Sequence, residues 1–125
     1  MEQKEICKVI LGKYRKRFFL GQLINKTIGN EHSVEFDGNW VLKREEEHGD
    51  VLGFYHTHIG NDCKLSRRDI KTMAAWIDCF NKPLLCMIES SLKWELYDFY
   101  PSPARVYFNS RWCFQIGSFI FGRVK

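Results

Sequence analysis

The sequence predicts an α/β domain in which strands alternate with one or two helices to make a sandwich. Three observations predict it. Val51-Leu52-Gly53-Phe54-Tyr55 is a short apolar run after a charged segment and reads as a buried strand. Ile70, Met73, Ala74, Ile77 and Phe80 recur at helical spacing and form one apolar stripe, the mark of a helix packed on a core. Further apolar runs of strand length flank this pair. At 125 residues the chain is one domain, residues 1–125, with room for a core. An apolar content of 45% with 15% aromatics excludes a disordered chain.

Taken in order, Ile6 to Leu11 is apolar except for Lys8 and reads as a strand, and Phe18 to Ile24 returns as a second. Between them Lys13 to Arg17 reads as a polar turn. Its four cations point either to an acidic partner or nucleic acid, or to a solvated hairpin tip. Lys26 to Ser33 is polar, with Gly29-Asn30 marking a loop. Val34 to Phe36 is a short strand. Asp37 then either opens a hairpin turn with Gly38 or caps a helix from Gly38 to Glu47 that ends at Gly49. The helix is favoured, because Glu45-Glu46-Glu47 is averse to strands and reads as a solvated face. His32 and His48 read as loop residues.

A second helix starts near Ser66 and stops at Asn81-Lys82-Pro83. Pro83 to Ile88 and Leu92 to Phe99 follow as strands. After a break at Pro101-Ser102-Pro103, Val106 to Phe108 and Trp112 to Phe121 read as terminal strands.

Composition narrows the functional classes. The net charge of +4 comes without a nucleic-acid motif or aromatic interleaving in the basic run. The charged N-terminus lacks the apolar stretch of a signal peptide, and Trp112 to Phe121 is too short to span a bilayer. Neither a nucleic-acid nor a membrane partner is therefore expected. Five cysteines, with no C-x-x-C pair, fit free thiols in a reducing cytoplasm.

The chemistry concentrates after the central strand. His56 and His58 end it two residues apart, so both side chains leave on one face. Gly60-Asn61-Asp62 is a turn, and Asp69 falls in the first turn of the next helix. Strand end, loop and helix start can converge on one ion. Two imidazoles and a carboxylate suit Zn²⁺, and three protein ligands leave a fourth position open, as catalytic sites do. The bland reading is that Ser66-x-x-Asp69 is a capping box with Asp in place of Glu. The two readings are compatible, because Ser66 can cap the helix while Asp69 binds metal.

Written as a pattern, His56-x-His58, seven residues, Ser66, two residues, Asp69 resembles the signature of the JAMM (MPN-plus) zinc metalloproteases. Glu5-Ile6-Cys7-Lys8-Val9-Ile10-Leu11-Gly12 is similar to their other signature, a Glu before an apolar strand ending in Gly. Lys82 to Ile88 resembles a strand of the small prokaryotic members. Three departures stand out. Ile59 occupies the position of a usual Pro, and Lys8 that of a small residue. Met1 to Lys4 stand where a helix usually precedes the Glu.

The resemblance implies a mixed, curved sheet flanked by helices, as in the cytidine-deaminase-like fold. It implies one zinc per chain on His56, His58 and Asp69, which would lower the pKa of a water to about 7. Glu5 would act as general base and then acid, and Ser66 would donate a hydrogen bond to the developing oxyanion. The implied substrate is a protein or peptide, such as the tail of a ubiquitin-like or sulfur-carrier protein. Two alternatives stay open, a catalytically inactive scaffold of the same type that binds a partner, and a zinc hydrolase of small amides. Cys63, between the ligands, reads either as a spare thiol near the metal or as an ordinary loop cysteine. Thr57 points away from the ligand face.

Overall fold

The computed structural model describes residues 6–15, 18–25, 27–29, 34–58, 62–91, 93–101, 107–111 and 113–123. The elements run β1 (Cys7–Arg15), β2 (Phe18–Ile24), β3 (Thr27–Gly29), β4 (Val34–Phe36), α1 (Gly38–His48), β5 (Val51–Thr57), α2 (Arg67–Phe80), β6 (Leu84–Glu89), β7 (Trp94–Tyr100), β8 (Tyr107–Arg111), β9 (Cys113–Ile116) and β10 (Phe119–Arg123). This is a mixed α/β fold. One sheet has the order β8-β7-β6-β5-β1-β2-β10-β9, and β3 pairs with β4 apart from it. Only β5 and β6 run parallel among the pairings of the large sheet. A parallel pair needs a crossover, and α2 supplies it.

The sheet curls. β8 and β9 are its two outermost strands, yet a single residue separates Arg111 from Cys113. Two Cα steps reach at most about 7.6 Å, so the two edges come together. The inner face confirms it. Ile10, Phe19, Leu52, Leu85, Leu96, Cys113 and Ile120, from seven strands, belong to one buried cluster. The phenol of Tyr14 on β1 is pushed well above its usual range, first by burial and then by Tyr100 and Asp98 of β7, three strands away in the sheet order.

The helices cover part of the outer face. Val41 of α1 and Met73 and Ile77 of α2 pack with Val9, Val51, Phe54, Cys86 and Ile88 in a second cluster. Burying side chains of this size stabilises by roughly 1.5–3 kcal/mol each. In the α2 stripe Met73 and Ile77 are buried and Ile70, Ala74 and Phe80 half-buried. Trp76 joins them by packing on Phe54 and Phe80.

Both helix ends follow from local chemistry. Asp37 accepts the Trp40 N–H, and α1 ends on Gly49 at φ 64°, the left-handed conformation glycine tolerates. The hairpin alternative at Asp37-Gly38 is thus set aside. α2 starts on Ser66 and stops on Asn81, also left-handed, just before Pro83.

Several boundaries differ from expectation. Lys13, Tyr14 and Arg15 belong to β1, which pairs with β2 as far as Arg15 opposite Phe18, so the turn is shorter than its polar composition suggested. Thr27 to Gly29 pairs with β4 instead of forming a loop. His48 closes α1. Glu45 is not on a solvated face, since its carboxylate accepts from Lys82 Nζ at 2.7 Å and from the Val51 N–H at 3.2 Å, while Glu46 and Glu47 are exposed. The run after Trp112, which itself lies outside the described residues, is two strands, β9 and β10, with a tight turn at Gly117-Ser118. Lys16-Arg17, His32, Ile59, Gly60-Asn61 and Ser102-Pro103 lie outside the described residues.

Candidate metal centre

The histidines reach the outer face because β5 carries a bulge. Along a regular strand the faces alternate, so Val51, on the helix side, would put Tyr55 there and turn His56 inward. The register against β1 slips instead, with Ile10 opposite Gly53 and Leu11 opposite Val51. Leu52 then faces the inner cluster, whereas Phe54 joins Val51 under the helices and Tyr55 turns inward. His56 and His58 follow the phase of Phe54. Bulges beside functional sites commonly re-aim side chains in this way. Gly53 makes this one possible: a Cβ there would stand 1.9 Å from the Leu85 carbonyl oxygen, at φ 157°. A glycine inside a strand pattern was the available signal.

Asp69 comes from the opposite direction. The Ser66 hydroxyl accepts the Asp69 N–H at 3.0 Å, and Asp69 Oδ2 accepts the Ser66 N–H at 2.8 Å, so the capping box is complete. The same carboxylate faces both rings. His56 Nε2 is 3.0 Å from Oδ1, His58 Nε2 is 3.2 Å from Oδ2, and the two Nε2 atoms are 3.1 Å apart. The residue that completes the capping box is therefore also the one that faces both rings. All three side chains are 12–18% exposed, shielded but reachable.

The triad lies close enough to hold a metal ion. Four ligands at tetrahedral zinc distances stand about 3.3 Å from one another, close to the observed spacings. Two ring nitrogens and the two oxygens of one carboxylate converge here, each nitrogen within 3.2 Å of an oxygen and of the other nitrogen, a donor set a cation suits. Burial raises the Asp69 carboxyl, but the hydrogen bonds from His56 and Ser66 outweigh it and hold the group well below the usual carboxylate range. It is charged at neutral pH, as a ligand must be.

Among the described residues no other His, Cys, Asp or Glu joins this group. Cys7 lies directly across from His56 and stays outside it. Cys63 is buried in the outer cluster, where its thiol donates to the Lys93 carbonyl at 3.2 Å and its own carbonyl accepts from the Tyr97 hydroxyl at 2.9 Å. It is the ordinary loop cysteine of the two readings, and it pins the ligand loop to the β6–β7 turn. No spacing rule signals that role.

Glu5 lies outside the described residues. Its neighbour Ile6 is tied to Thr57 twice, through Ile6 N–H to Thr57 Oγ1 at 2.7 Å and Thr57 N–H to the Ile6 carbonyl at 2.8 Å. Thr57 thus points away from the ligands, as expected, and fastens the start of β1 between the two histidines. All five cysteines are free thiols. Among the described residues no helix is long and apolar enough to cross a membrane. No protein-family model matches the chain, and no curated protein matches it.

Proposed function

We propose that the protein is a zinc-dependent hydrolase of peptide or isopeptide bonds. The observation that carries this reading is the convergence of His56, His58 and Asp69 within 3.0–3.2 Å on a partly exposed outer face. A Zn²⁺ ion held there supplies Lewis acidity and a water acidified to a pKa of about 7. The chain's own residues supply the rest. Ser66 accepts from the Asp69 N–H, which leaves its own O–H free to donate to a carbonyl oxygen as that oxygen gains charge. Glu5 is the proposed general base, taking a proton from water and returning it to the leaving amine. What supports this is the double tie of Ile6, the next residue, to Thr57 between the histidines. The capping box keeps Asp69 in place, so the helix start and the ligand are one rigid unit.

The finer reading, a JAMM-type isopeptidase acting at the tail of a ubiquitin-like or sulfur-carrier protein, rests on the resemblance of the His56-x-His58, Ser66 and Asp69 pattern. The test is zinc content by elemental analysis of the purified protein and of His58→Ala, followed by turnover of tail-fusion substrates. About one zinc per chain, lost in the variant, with cleavage lost in Glu5→Gln while zinc stays, is the expected result. A wild-type protein that takes up no zinc when supplied with it would end the hydrolase reading and leave Ser66 and Asp69 as a helix cap. Bound zinc without cleavage of any tail would favour the scaffold alternative.

A further inference from the structure

The charge of this chain is divided. Residues 6–30 and 99–125 contain ten Lys and Arg and no Asp or Glu, whereas the remainder holds nine against fifteen. The division becomes a surface when the strands are aligned. On the outer face Leu20 stands beside Lys13 and Phe121, Phe18 beside Arg15 and Arg123, Gln22 beside Phe119, and Phe119 and Phe121 beside Ile116 and Phe114. Cross-strand neighbours share a face. Among the described residues no helix covers the outer face of β2, β9 or β10, since the helices pack on the cluster of β5, β6, β7 and the Val9 end of β1.

Six apolar side chains are therefore contiguous in solvent or half-exposed there, and Ile116 is 70% and Phe119 52% exposed on either side of the Gly117-Ser118 turn. The exposed apolar area is on the order of 500 Å², the upper end of what a monomer carries and a mark of an interaction site. Lys13, Arg15 and Arg123 border one end, with no Asp or Glu in any of the four strands β1, β2, β9 and β10.

We infer that this face is a docking surface for an anionic lipid bilayer. Charge complementarity selects an anionic partner, and the other anionic candidates fit less well. A second copy would set strands that carry cations and no Asp or Glu against others of the same kind, so the cations would gain no opposite charge. Bases of a single-stranded nucleic acid need open ring faces, but Phe121 lies 5.5 Å from Phe18, stacked at 16°, and 5.4 Å from Phe114. A folded protein partner needs directional bonds, about one per 100–200 Å². Here β2 and β10 are paired on both sides and Gln115 donates to the Gly117 carbonyl, leaving few neutral polar groups on the outer side of these strands. The outer side of a curled sheet is also convex, and offers a peptide no groove. A bilayer requires apolar area and cations and no directional partner. The expectation of no membrane partner rested on the length of apolar runs, which concerns spanning and not surface association. The inference is independent of the hydrolase reading.

The test is co-sedimentation of the full chain with vesicles of phosphatidylcholine containing about one-third phosphatidylglycerol, a fraction that gives a strongly negative surface, and with phosphatidylcholine alone. The expected result is binding to the anionic vesicles at least roughly tenfold tighter than to the neutral ones, weakened as salt screens the cations. Leu20→Asp with Phe119→Asp, and separately Lys13→Glu with Arg15→Glu, should each lower it by roughly tenfold or more. His58→Ala should bind like wild type, so loss of the metal centre leaves this result standing. Equal binding to both vesicle types, no binding to either, or binding unchanged in both double variants would overturn the inference. So would sedimentation equilibrium showing a dimer that Leu20→Asp with Phe119→Asp dissolves, or displacement by a uridine oligonucleotide that the apolar double variant binds as well as wild type.

Discussion

At the residue scale Ser66 caps α2 and has a second, proposed task in catalysis, and one substitution separates the two. As N-cap its hydroxyl accepts the Asp69 N–H, and in the proposed reaction the same hydroxyl donates. Ser66→Ala removes both and costs about 1 kcal/mol of stability. Ser66→Gly keeps most of the cap, at a cost of a few tenths of a kcal/mol, while removing the donor. The expected outcome for Ser66→Gly is a melting temperature close to wild type, full zinc content, and turnover lower by roughly 10²–10³. Turnover near wild type would confine Ser66 to capping. The site was legible at this scale for the residues that bond through side chains at fixed spacing. His56 and His58 are two residues apart, a spacing that keeps them on one strand face, and Asp69 is fixed at the start of α2 by the capping box. Cys63 and Tyr97 were not legible, because they meet through a backbone carbonyl across 34 residues. Gly53 was legible only as a glycine in a strand. Its consequence, which ring faces outward, depends on a slip against β1 that the sequence of β5 alone does not state.

At the element scale β5 holds the histidines only while its bulge is intact. Gly53→Ala would place a methyl group 1.9 Å from the Leu85 carbonyl oxygen, with β6 backbone behind it. Strand displacement is the only relief, and a destabilisation of roughly 3 kcal/mol is expected. Zinc affinity should fall with it, read by denaturant unfolding and by metal titration. Undiminished zinc affinity would show that the bulge does not aim the rings.

The entry to β5 has a second fastening. Arg44 of α1 donates twice to the Asp50 carboxylate, at 2.9 and 2.6 Å. The hydrogen bonds from Arg44 lower the Asp50 pKa more than its partial burial raises it. A carboxyl whose folded pKa lies below its unfolded value contributes stability above the unfolded pKa and loses it as pH falls through the folded one. Wild type should therefore lose stability relative to Asp50→Asn as pH drops below about 4, by about 1 kcal/mol or less for a pair this accessible. Parallel pH curves for the two proteins would remove the pair from the account. Helix ends were readable here, since Asp37, Gly49, Ser66 and Asn81 act on their own neighbours. Strand ends were not. The pairing of Lys13 and Arg15 with Leu20 and Phe18 holds two cations in a strand, though their composition signals a turn.

At the scale of the whole molecule the curl creates two cores with different duties, and the sequence signals only the outer one, through the apolar stripe of α2. Strand order is set by pairings between distant segments, such as β2 with β10 about a hundred residues on. Apolar alternation reports that a strand has an inner side without saying what it meets there. The inner core joins seven strands and touches neither helix, whereas the outer core seats α2, which carries Asp69. Leu96 and Met73 are almost fully buried, one in each. Truncating either to Ala should cost roughly 2–5 kcal/mol. The consequences for the metal centre should differ. Leu96→Ala leaves α2 and β5 in contact and should bind zinc like wild type under conditions where it is folded. Met73→Ala loosens the seat of α2, one helical turn from Asp69, and should weaken zinc binding by roughly tenfold, since about 1.4 kcal/mol of the lost packing would then be spent on re-seating the helix. Chelator-buffered zinc titrations of the two variants at matched temperature measure this. Equal affinities would mean that the capping box and the Cys63 anchor hold Asp69 without help from the core beneath α2. A larger loss in Leu96→Ala than in Met73→Ala would mean that the sheet's curvature, and not the helix seat, sets the spacing of the three ligands.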